Sequence, residues 1–431
     1  MGNRIYNNRG SNNMNRGSNN MAQLLLFYII WPFGAWIASL KQANTRGAYV
    51  IFFLFSLLLC WHMSPTGTSD YDDFIGIMER FNMTNISTNM MVEEFEAFIT
   101  FSDDAPKELY GDFLTWLVKL FTVNYHFFFL IAAIPVAICQ LKCLKYITND
   151  PRFVAGSFLS FLVLAMFIFP RDIITVQNPR FATGLWWCLL VTIRYALDGR
   201  NRLLSAILIL LGPFFHSAIW VYVIFFYMCL LVPNTRFFIR ICEIAAMVSM
   251  PLCFIDADLF SSLSFDFLPD NLSRWVALYM SDEARARFIE HEGASGFFYV
   301  GLFFNIVLKL CYMLMTLQLI KNKRNFACEE GVDRLYICYL ILFASINLIQ
   351  FVPELGSRYF YMLRILCVLI WFKVFWGESR FYKPFILLCI ISIWHIMFRY
   401  GYVLGGALSV NTPIDIWFTP LPYLVGKGLF W

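Results

Sequence analysis

Three arginines lie close to the start of long apolar segments. Arg180 follows Asn178-Pro179, Arg358 follows Glu354-Leu-Gly-Ser357, and Arg171 lies upstream of the first of these. A guanidinium presents a planar fork of N–H donors that matches two phosphate oxygens. These positions therefore predict that the arginines bind an anion such as a phosphate. An ion pair with a nearby loop carboxylate is the alternative.

A histidine and a carboxylate are the candidates for chemistry on a hydroxyl group. His216 lies in Phe-Phe-His-Ser, just after Gly212-Pro213, and Asp70 follows Pro65 and Gly67. Either side chain could orient a hydroxyl or take its proton. The alternatives are a histidine that bonds carbonyls freed beside a proline, and a carboxylate in a solvated loop.

Four further residues complete the set of candidate contacts. Tyr71 adjoins Asp70, Glu108 and Tyr110 occur later in the same polar segment, and Arg364 follows Arg358 within an apolar run. A buried arginine requires a partner, so Arg364 could instead form a structural pair with a carboxylate.

Composition determines which kind of element must position these residues. The chain has 431 residues, of which 59% are hydrophobic and 14% are charged, and its mean hydropathy is +0.63. A soluble domain carries about 25% charged residues. The composition excludes a disordered, fibrous or secreted disulfide-stapled chain, and it predicts an all-α polytopic membrane protein.

Twelve apolar runs approach the length of about 20 residues that a bilayer-spanning helix needs. The predicted spans are 22–40, 47–63, 124–141, 153–170, 181–197, 203–215, 217–233, 237–255, 296–320, 335–352, 359–376 and 384–400. Lysines and arginines collect in the short loops on one side, which is typical of the cytoplasmic face. The long loops 64–123 and 256–295 and both termini then lie outside. The run 203–232 must turn back near His216.

The chain divides into three predicted regions. Residues 1–20 are a polar, nearly repeated extension, either disordered or not native. Residues 21–400 form one transmembrane domain, and residues 401–431 form an interfacial tail outside the cytoplasm. Within loop 64–123, segments 90–101 and 108–121 have the apolar spacing of amphipathic helices.

Other chemistries lack their sequence signals. There is no Gly-rich phosphate loop, no His-Glu-x-x-His zinc motif and no Gly-x-Ser-x-Gly nucleophile. No basic stripe indicates nucleic-acid binding. The 12 cysteines fall in apolar runs or short loops, which favours buried thiols over metal ligands. We expect no metal and no cofactor.

The order of the candidate motifs resembles the EpsG family of bacterial polysaccharide polymerases, which are relatives of the Wzy O-antigen polymerases. The resemblance covers about residues 21–400 and depends on the sequence of motifs rather than on any one of them. The motifs, in chain order, are Asp70-Tyr71, Glu108-x-Tyr110, Arg180-x-Ala182, Phe215-His216-Ser217-Ala218 and Arg358 with Leu363-Arg364.

The resemblance implies a GT-C-like glycosyltransferase in the bacterial inner membrane. Such an enzyme moves a growing glycan from polyprenyl pyrophosphate to a sugar hydroxyl of the next lipid-linked repeat, on the outer face. Arg180 and Arg358, helped by Arg171, would stabilise the leaving pyrophosphate. Asp70 or His216 would act on the hydroxyl. Expected partners are membrane lipid, a flippase and a chain-length regulator.

Two other functions fit the same composition. A flippase or other transporter for lipid-linked oligosaccharides would line a path with its intramembrane charges. A membrane acyltransferase that modifies polysaccharide would place its histidine against an acyl donor. The positions of the polar residues, mainly towards the outer side, favour the polymerase.

Overall fold

The computed structural model describes most of the apolar part of the chain. The described residues are 21–62, 88–100, 102, 109–168, 179–254, 298–322, 331–351, 353–407 and 418–430. Within these ranges the chain is all-α and contains no strand. This confirms the predicted all-α class.

Seventeen α-helices lie wholly within the described ranges. In the first half they are α1 (Met21–Ile30), α2 (Pro32–Leu40), α3 (Arg46–Trp61), α4 (Thr88–Thr100), α5 (Tyr110–Lys119), α6 (Tyr125–Thr148), α7 (Phe158–Ile168), α8 (Pro179–Leu197) and α9 (Arg202–Ile209). They continue as α10 (Gly212–Phe215), α11 (Ile219–Leu231), α12 (Arg236–Ser249), α13 (Phe298–Lys321), α14 (Val332–Leu348), α15 (Pro353–Phe375), α16 (Tyr382–Ala407) and α17 (Leu421–Phe430).

Each of the twelve predicted apolar ranges contains helix, although several boundaries differ. The first range is divided at Trp31 into α1 and α2, because Pro32 begins a new helix. Helices α4 and α5 occupy the two segments that their apolar spacing marked as helical. Helix α16 extends to Ala407, beyond the predicted end of the domain.

One described helix, α6 with 24 residues, is both long and apolar enough to cross a membrane by itself. At 1.5 Å per residue it is about 36 Å long, which exceeds a hydrocarbon core of about 30 Å. The core helix of a soluble protein can have the same properties. The number of twelve crossings therefore remains a prediction.

The chain forms two compact units, each built from separate segments. The first contains residues 1–91, 110–186 and 396–431, and the second contains residues 92–109 and 187–395. In the first unit, α3 and α6 run in opposite directions. The Trp61 carbonyl accepts a hydrogen bond from His126 Nδ1 at 2.6 Å at one end, and Tyr49 bonds Thr148 at the other.

The second unit is organised around α14, whose residues 332–347 are mostly buried. Helix α12 runs beside it in the same direction, and two side-chain hydrogen bonds join them. Tyr336 donates to Glu243 at 3.1 Å, and Asn347 donates to Ser249 at 3.1 Å. The two helices are therefore parallel neighbours in this unit.

A glycine lets α14 begin close to the end of α8. Gly331 has a φ of 88°, in the left-handed region that L side chains rarely adopt, and a Cβ there would lie 2.6 Å from the Ala196 carbonyl oxygen. The start of the buried α14 is thereby fixed against the second unit's part of α8.

All eleven described cysteines are buried, as predicted.

Candidate functional site

The predicted turn at His216 is present in the second unit. Helix α9 ends at Ile209, the four-residue α10 contains Gly212-Pro213, and α11 starts at Ile219. A Cβ on Gly212 would lie 2.6 Å from Ile219 Cγ2, so glycine permits the close approach of the two arms. Tyr227 donates to the Ala206 carbonyl at 3.0 Å, and this bond joins the arms as an antiparallel hairpin.

The His216 side chain is held by the turn itself. Its backbone is extended, with φ −160° and ψ 130°, and the residue is 4% exposed. The Ala218 N–H donates to His216 Nδ1 at 3.1 Å. Because an amide N–H can only donate, Nδ1 must accept and carries no proton. Nδ1 therefore faces an amide N–H, and this contact is not one with a carbonyl freed beside Pro213.

Helix α15 is attached to the same turn. The Tyr359 hydroxyl donates to the Ala218 carbonyl, and Tyr359 is fully buried. Its ring stacks on Tyr222 with centroids 6.5 Å apart, and the Tyr222 hydroxyl bonds Thr192 at 2.6 Å. Ala218 is thus contacted on its N–H by His216 and on its carbonyl by Tyr359.

Arg358 directly precedes Tyr359, so its backbone lies beside the His216 turn. The prediction that Arg358 opens its helix is wrong, since α15 begins at Pro353. Proline is favoured at the first helical position, and the Gln350 side chain donates to the Gly356 carbonyl at 2.9 Å across the first turn. The segment 353–358 is therefore helix rather than a turn.

Arg364 lies deeper in the same helix and is 3% exposed. Its guanidinium carbon lies 4.3 Å from the centroid of the Tyr361 ring. A cation over an aromatic face is a favourable contact in a desolvated environment. This interaction supports a structural role for Arg364 at least as well as the predicted contact with substrate.

The first unit brings together Arg180 and Tyr110. Helix α8 begins at Pro179, two residues before the predicted range 181–197, and places Arg180 in its first turn. A Cβ on Gly111 would lie 3.2 Å from Arg180 Cδ, so the aliphatic stem of the arginine passes over the start of α5. Tyr110 forms a side-chain hydrogen bond with Thr183, one turn along α8.

Burial determines the protonation state of this tyrosine. Burial raises the pKa of Tyr110 to about 12, and the bond with Thr183 only partly opposes this rise. Tyr110 therefore stays neutral at physiological pH and keeps its hydroxyl proton.

The start of a helix also favours anions, because its first N–H groups lack intrahelical partners.

Four predicted site residues lie outside the described residues. They are Asp70, Tyr71, Glu108 and Arg171. The side chain of Arg358 also lies outside the described part, although its helix is described. Nothing in the described ranges tests the predicted roles of these five residues.

Two charged residues on apolar helices, the buried Glu243 and the half-buried Lys309, were not singled out from the sequence. Glu243 is 6% exposed and accepts from Tyr336, and Lys309 donates from Nζ to the Cys253 carbonyl at 3.0 Å. Each interrupts an apolar run, and such an interruption is the signal that would have found them. Both lie in the second unit, on α12 and α13.

No group of three or more His, Cys, Asp or Glu residues that could hold a metal ion occurs among the residues with a described structure. Comparison of the chain with protein-family models, with curated proteins and with solved structures found no match.

Proposed function

We propose that the protein is a polymerase of lipid-linked glycan repeats in a bacterial inner membrane. It transfers a chain from polyprenyl pyrophosphate to a sugar hydroxyl of the next lipid-linked repeat. The observation that carries the proposal is the hydrogen bond from Tyr359 to the Ala218 carbonyl. It joins the arginine-bearing start of α15 to the turn that holds His216.

The reaction needs a cation beside the leaving group. When the bond between the sugar and the pyrophosphate breaks, its electron pair passes to a phosphate oxygen, and the acceptor hydroxyl forms the new bond to the sugar. Fixed donors aimed at such an oxygen are usually the largest electrostatic contribution to catalysis. Arg358 supplies that charge in the second unit, and Arg180 is the corresponding candidate in the first unit. Asp70 is the candidate base for the hydroxyl proton.

Aromatic side chains that directly precede His216, and the rings they contact, support a lipid substrate. Phe214 packs edge-on against Phe98 of α4 with centroids 6.3 Å apart, and Phe215 lies 6.3 Å from the Trp187 ring. Helix α4 belongs to the predicted outer loop 64–123, and here it contacts the turn. A surface of aromatic side chains suits an isoprenoid chain, which is apolar and branched.

The first test is a deletion strain. We expect surface glycan to consist of single repeats, because synthesis and export continue without polymerisation. The second candidate is a transporter, which the buried Glu243 and the half-buried Lys309 on apolar helices favour, and its loss gives the opposite result. Loss of a flippase would leave no repeat at the surface, and that result would contradict the polymerase.

The second test complements this strain with arginine variants. Arg358→Lys and Arg180→Lys keep the charge but lose the fork, so we expect about a hundredfold less polymer. Arg380→Lys is the control, since Arg380 has a side chain 67% exposed and pairs with Glu378 at 2.7 Å. Wild-type chain length in both test variants, at equal protein levels, would exclude these arginines from the reaction.

A further inference from the structure

Helix α12 of the second unit has one buried side and one exposed side. The buried side faces α14 through two side-chain hydrogen bonds and carries Cys242, Glu243, Ala246 and Ser249. The exposed side carries large apolar side chains, each between 40% and 68% exposed, which are Phe237, Ile241, Ile244, Met247 and Val248. Arg236 and Arg240 are exposed as well, and they share this side because residues four apart lie on one helix face.

The exposed side of α12 has the dimensions of one half of a bilayer. The two arginines lie in the first two turns, and the apolar side chains continue to Val248. From Arg240 to Val248 the helix rises about 12 Å, and half of a hydrocarbon core is about 15 Å thick. The charged positions and the apolar positions therefore follow one another as the headgroup and the acyl chain do in a single phospholipid.

The charge on this side of α12 is not compensated within the protein. Among the residues that the structure describes, neither Arg236 nor Arg240 has an ion-pair or hydrogen-bond partner for its side chain. Every residue of α12 is described, and its one carboxylate, Glu243, lies on the buried side. A guanidinium matches phosphate oxygens, so the exposed side is complementary to a negatively charged headgroup.

A third exposed arginine, Arg202 at the start of α9, lies at nearly the same depth as Arg240. Helix α11 meets α14 where Cys229 Sγ lies 4.0 Å from the Cys338 carbonyl oxygen, and α12 meets α14 at Tyr336. The bond between the hairpin arms sets the level of α9 against α11. Counted at 1.5 Å per residue from these contacts, the two arginines lie within about 5 Å of each other along α14. Charges at one depth are what a plane of headgroups requires.

We propose that the exposed side of α12 binds an anionic phospholipid of the cytoplasmic leaflet. Arg236 and Arg240 hold the phosphate, and an acyl chain lies along Ile244 and Val248. The cytoplasmic leaflet follows from the arginines, because basic residues collect on that face and its anionic lipids attract them. The proposal shares the membrane location with the proposed function and does not depend on the reaction.

A second copy of the chain fits this surface less well than a lipid does. In a symmetric dimer the same patch occurs on both partners, so a contact along α12 would bring two pairs of arginines together. Like charges at such an interface repel each other. A phospholipid supplies the opposite charge and the apolar chain at once.

The headgroup contact is tested by native mass spectrometry of the full chain in detergent. The probes are phosphatidylglycerol and phosphatidylcholine with identical acyl chains. We expect Arg236→Gln or Arg240→Gln to weaken binding of phosphatidylglycerol about fivefold, and the double variant about thirtyfold, with binding of phosphatidylcholine unchanged. Arg380→Gln is the control, because Arg380 is exposed but pairs with Glu378.

Unequal folding of the variants is excluded by comparing their unfolding temperatures in lipid-free detergent, where we expect no difference. Equal affinity of the wild-type protein for the two lipids would overturn the proposal. The same loss in Arg380→Gln as in the α12 variants would also overturn it, because the effect would then be one of total charge. None of these measurements uses a glycan substrate, so they can fail while the polymerase proposal stands, and the reverse.

The acyl-chain contact is tested by Ile244→Asn combined with Val248→Asn. We expect this variant to weaken binding of both lipids by a similar factor, whereas the arginine variants change their ratio. Glycerol 3-phosphate supplies the phosphate without a chain, and we expect it to bind at least a hundredfold more weakly than phosphatidylglycerol. Equal binding of this probe would show an anion site rather than a lipid site. A dimer in detergent that the asparagine variant dissociates would identify a second copy as the occupant and overturn the proposal.

Discussion

His126 and His216 are equally buried but face opposite backbone groups. His126, in the first unit, is 2% exposed, and its Nδ1 donates to the Trp61 carbonyl, with the Trp61 ring stacked at 5.3 Å. His216, in the second unit, is 4% exposed and its Nδ1 accepts from an N–H. Nδ1 therefore donates in the first ring and accepts in the second. Burial of a histidine therefore does not by itself distinguish structure from function.

Substitution of His126 tests whether the bond from its Nδ1 to the Trp61 carbonyl stabilises the first unit. Asparagine carries an amide donor near Nδ1 and can keep the bond to Trp61, whereas glutamine cannot. We expect His126→Gln to lower the free energy of unfolding by about 3 kcal/mol, because it leaves a buried carbonyl without its donor and removes a stacked ring. We expect His126→Asn to cost about 1 kcal/mol. Thermal unfolding in detergent measures both, and an equal loss would mean that the bond contributes little.

The two units also differ in how much space surrounds a buried glycine, Gly212 in the second unit and Gly111 in the first. A methyl at Gly212 would lie 2.6 Å from Ile219 Cγ2 and 2.9 Å from Cys188 Sγ, both in a packed interior. We expect Gly212→Ala to destabilise the fold by about 2 kcal/mol through overpacking.

The matched variant in the first unit is Gly111→Ala. Its new methyl would lie 3.2 Å from Arg180 Cδ, and a flexible arginine stem can move by the required tenths of an ångström. We expect a cost below about 0.5 kcal/mol. If the two alanine variants unfold at the same temperature, the His216 turn is less rigid than its contacts indicate.

The last comparison concerns Tyr110, whose hydroxyl bonds Thr183 in the first unit. Tyr110→Phe removes the bond to Thr183 and should cost about 1 kcal/mol. The pKa of Tyr110, raised to about 12, lies above the ordinary value of 10.0. Its contribution is therefore fully present below pH 10 and is lost as pH rises towards 12. The difference in stability between wild type and variant should be constant from pH 6 to 9. A difference that falls within this range would indicate that Tyr110 ionises there.

Local features of the sequence predict much of this arrangement. The twelve apolar ranges all contain helix, and the start of α8 beside Arg180 follows from Asn178-Pro179. The turn at His216 follows from Gly212-Pro213, since a proline lacks an amide donor and ends the preceding helix. The error at Arg358 has a local cause too, because Pro353, a residue type favoured at the first helical position, starts α15 earlier.

The sequence by itself determined the helical class, the apolar segments and which residue types could bind phosphate or act on a hydroxyl. These properties depend on composition and on neighbours a few positions apart. Only the tertiary structure decided the tautomer of His216 and the attachment of α15 to its turn. Tyr359 and Ala218 are 141 positions apart, and no periodicity relates residues at such a distance. A proton's place on an imidazole depends on whether the ring meets a carbonyl or an N–H, which the folded backbone alone provides.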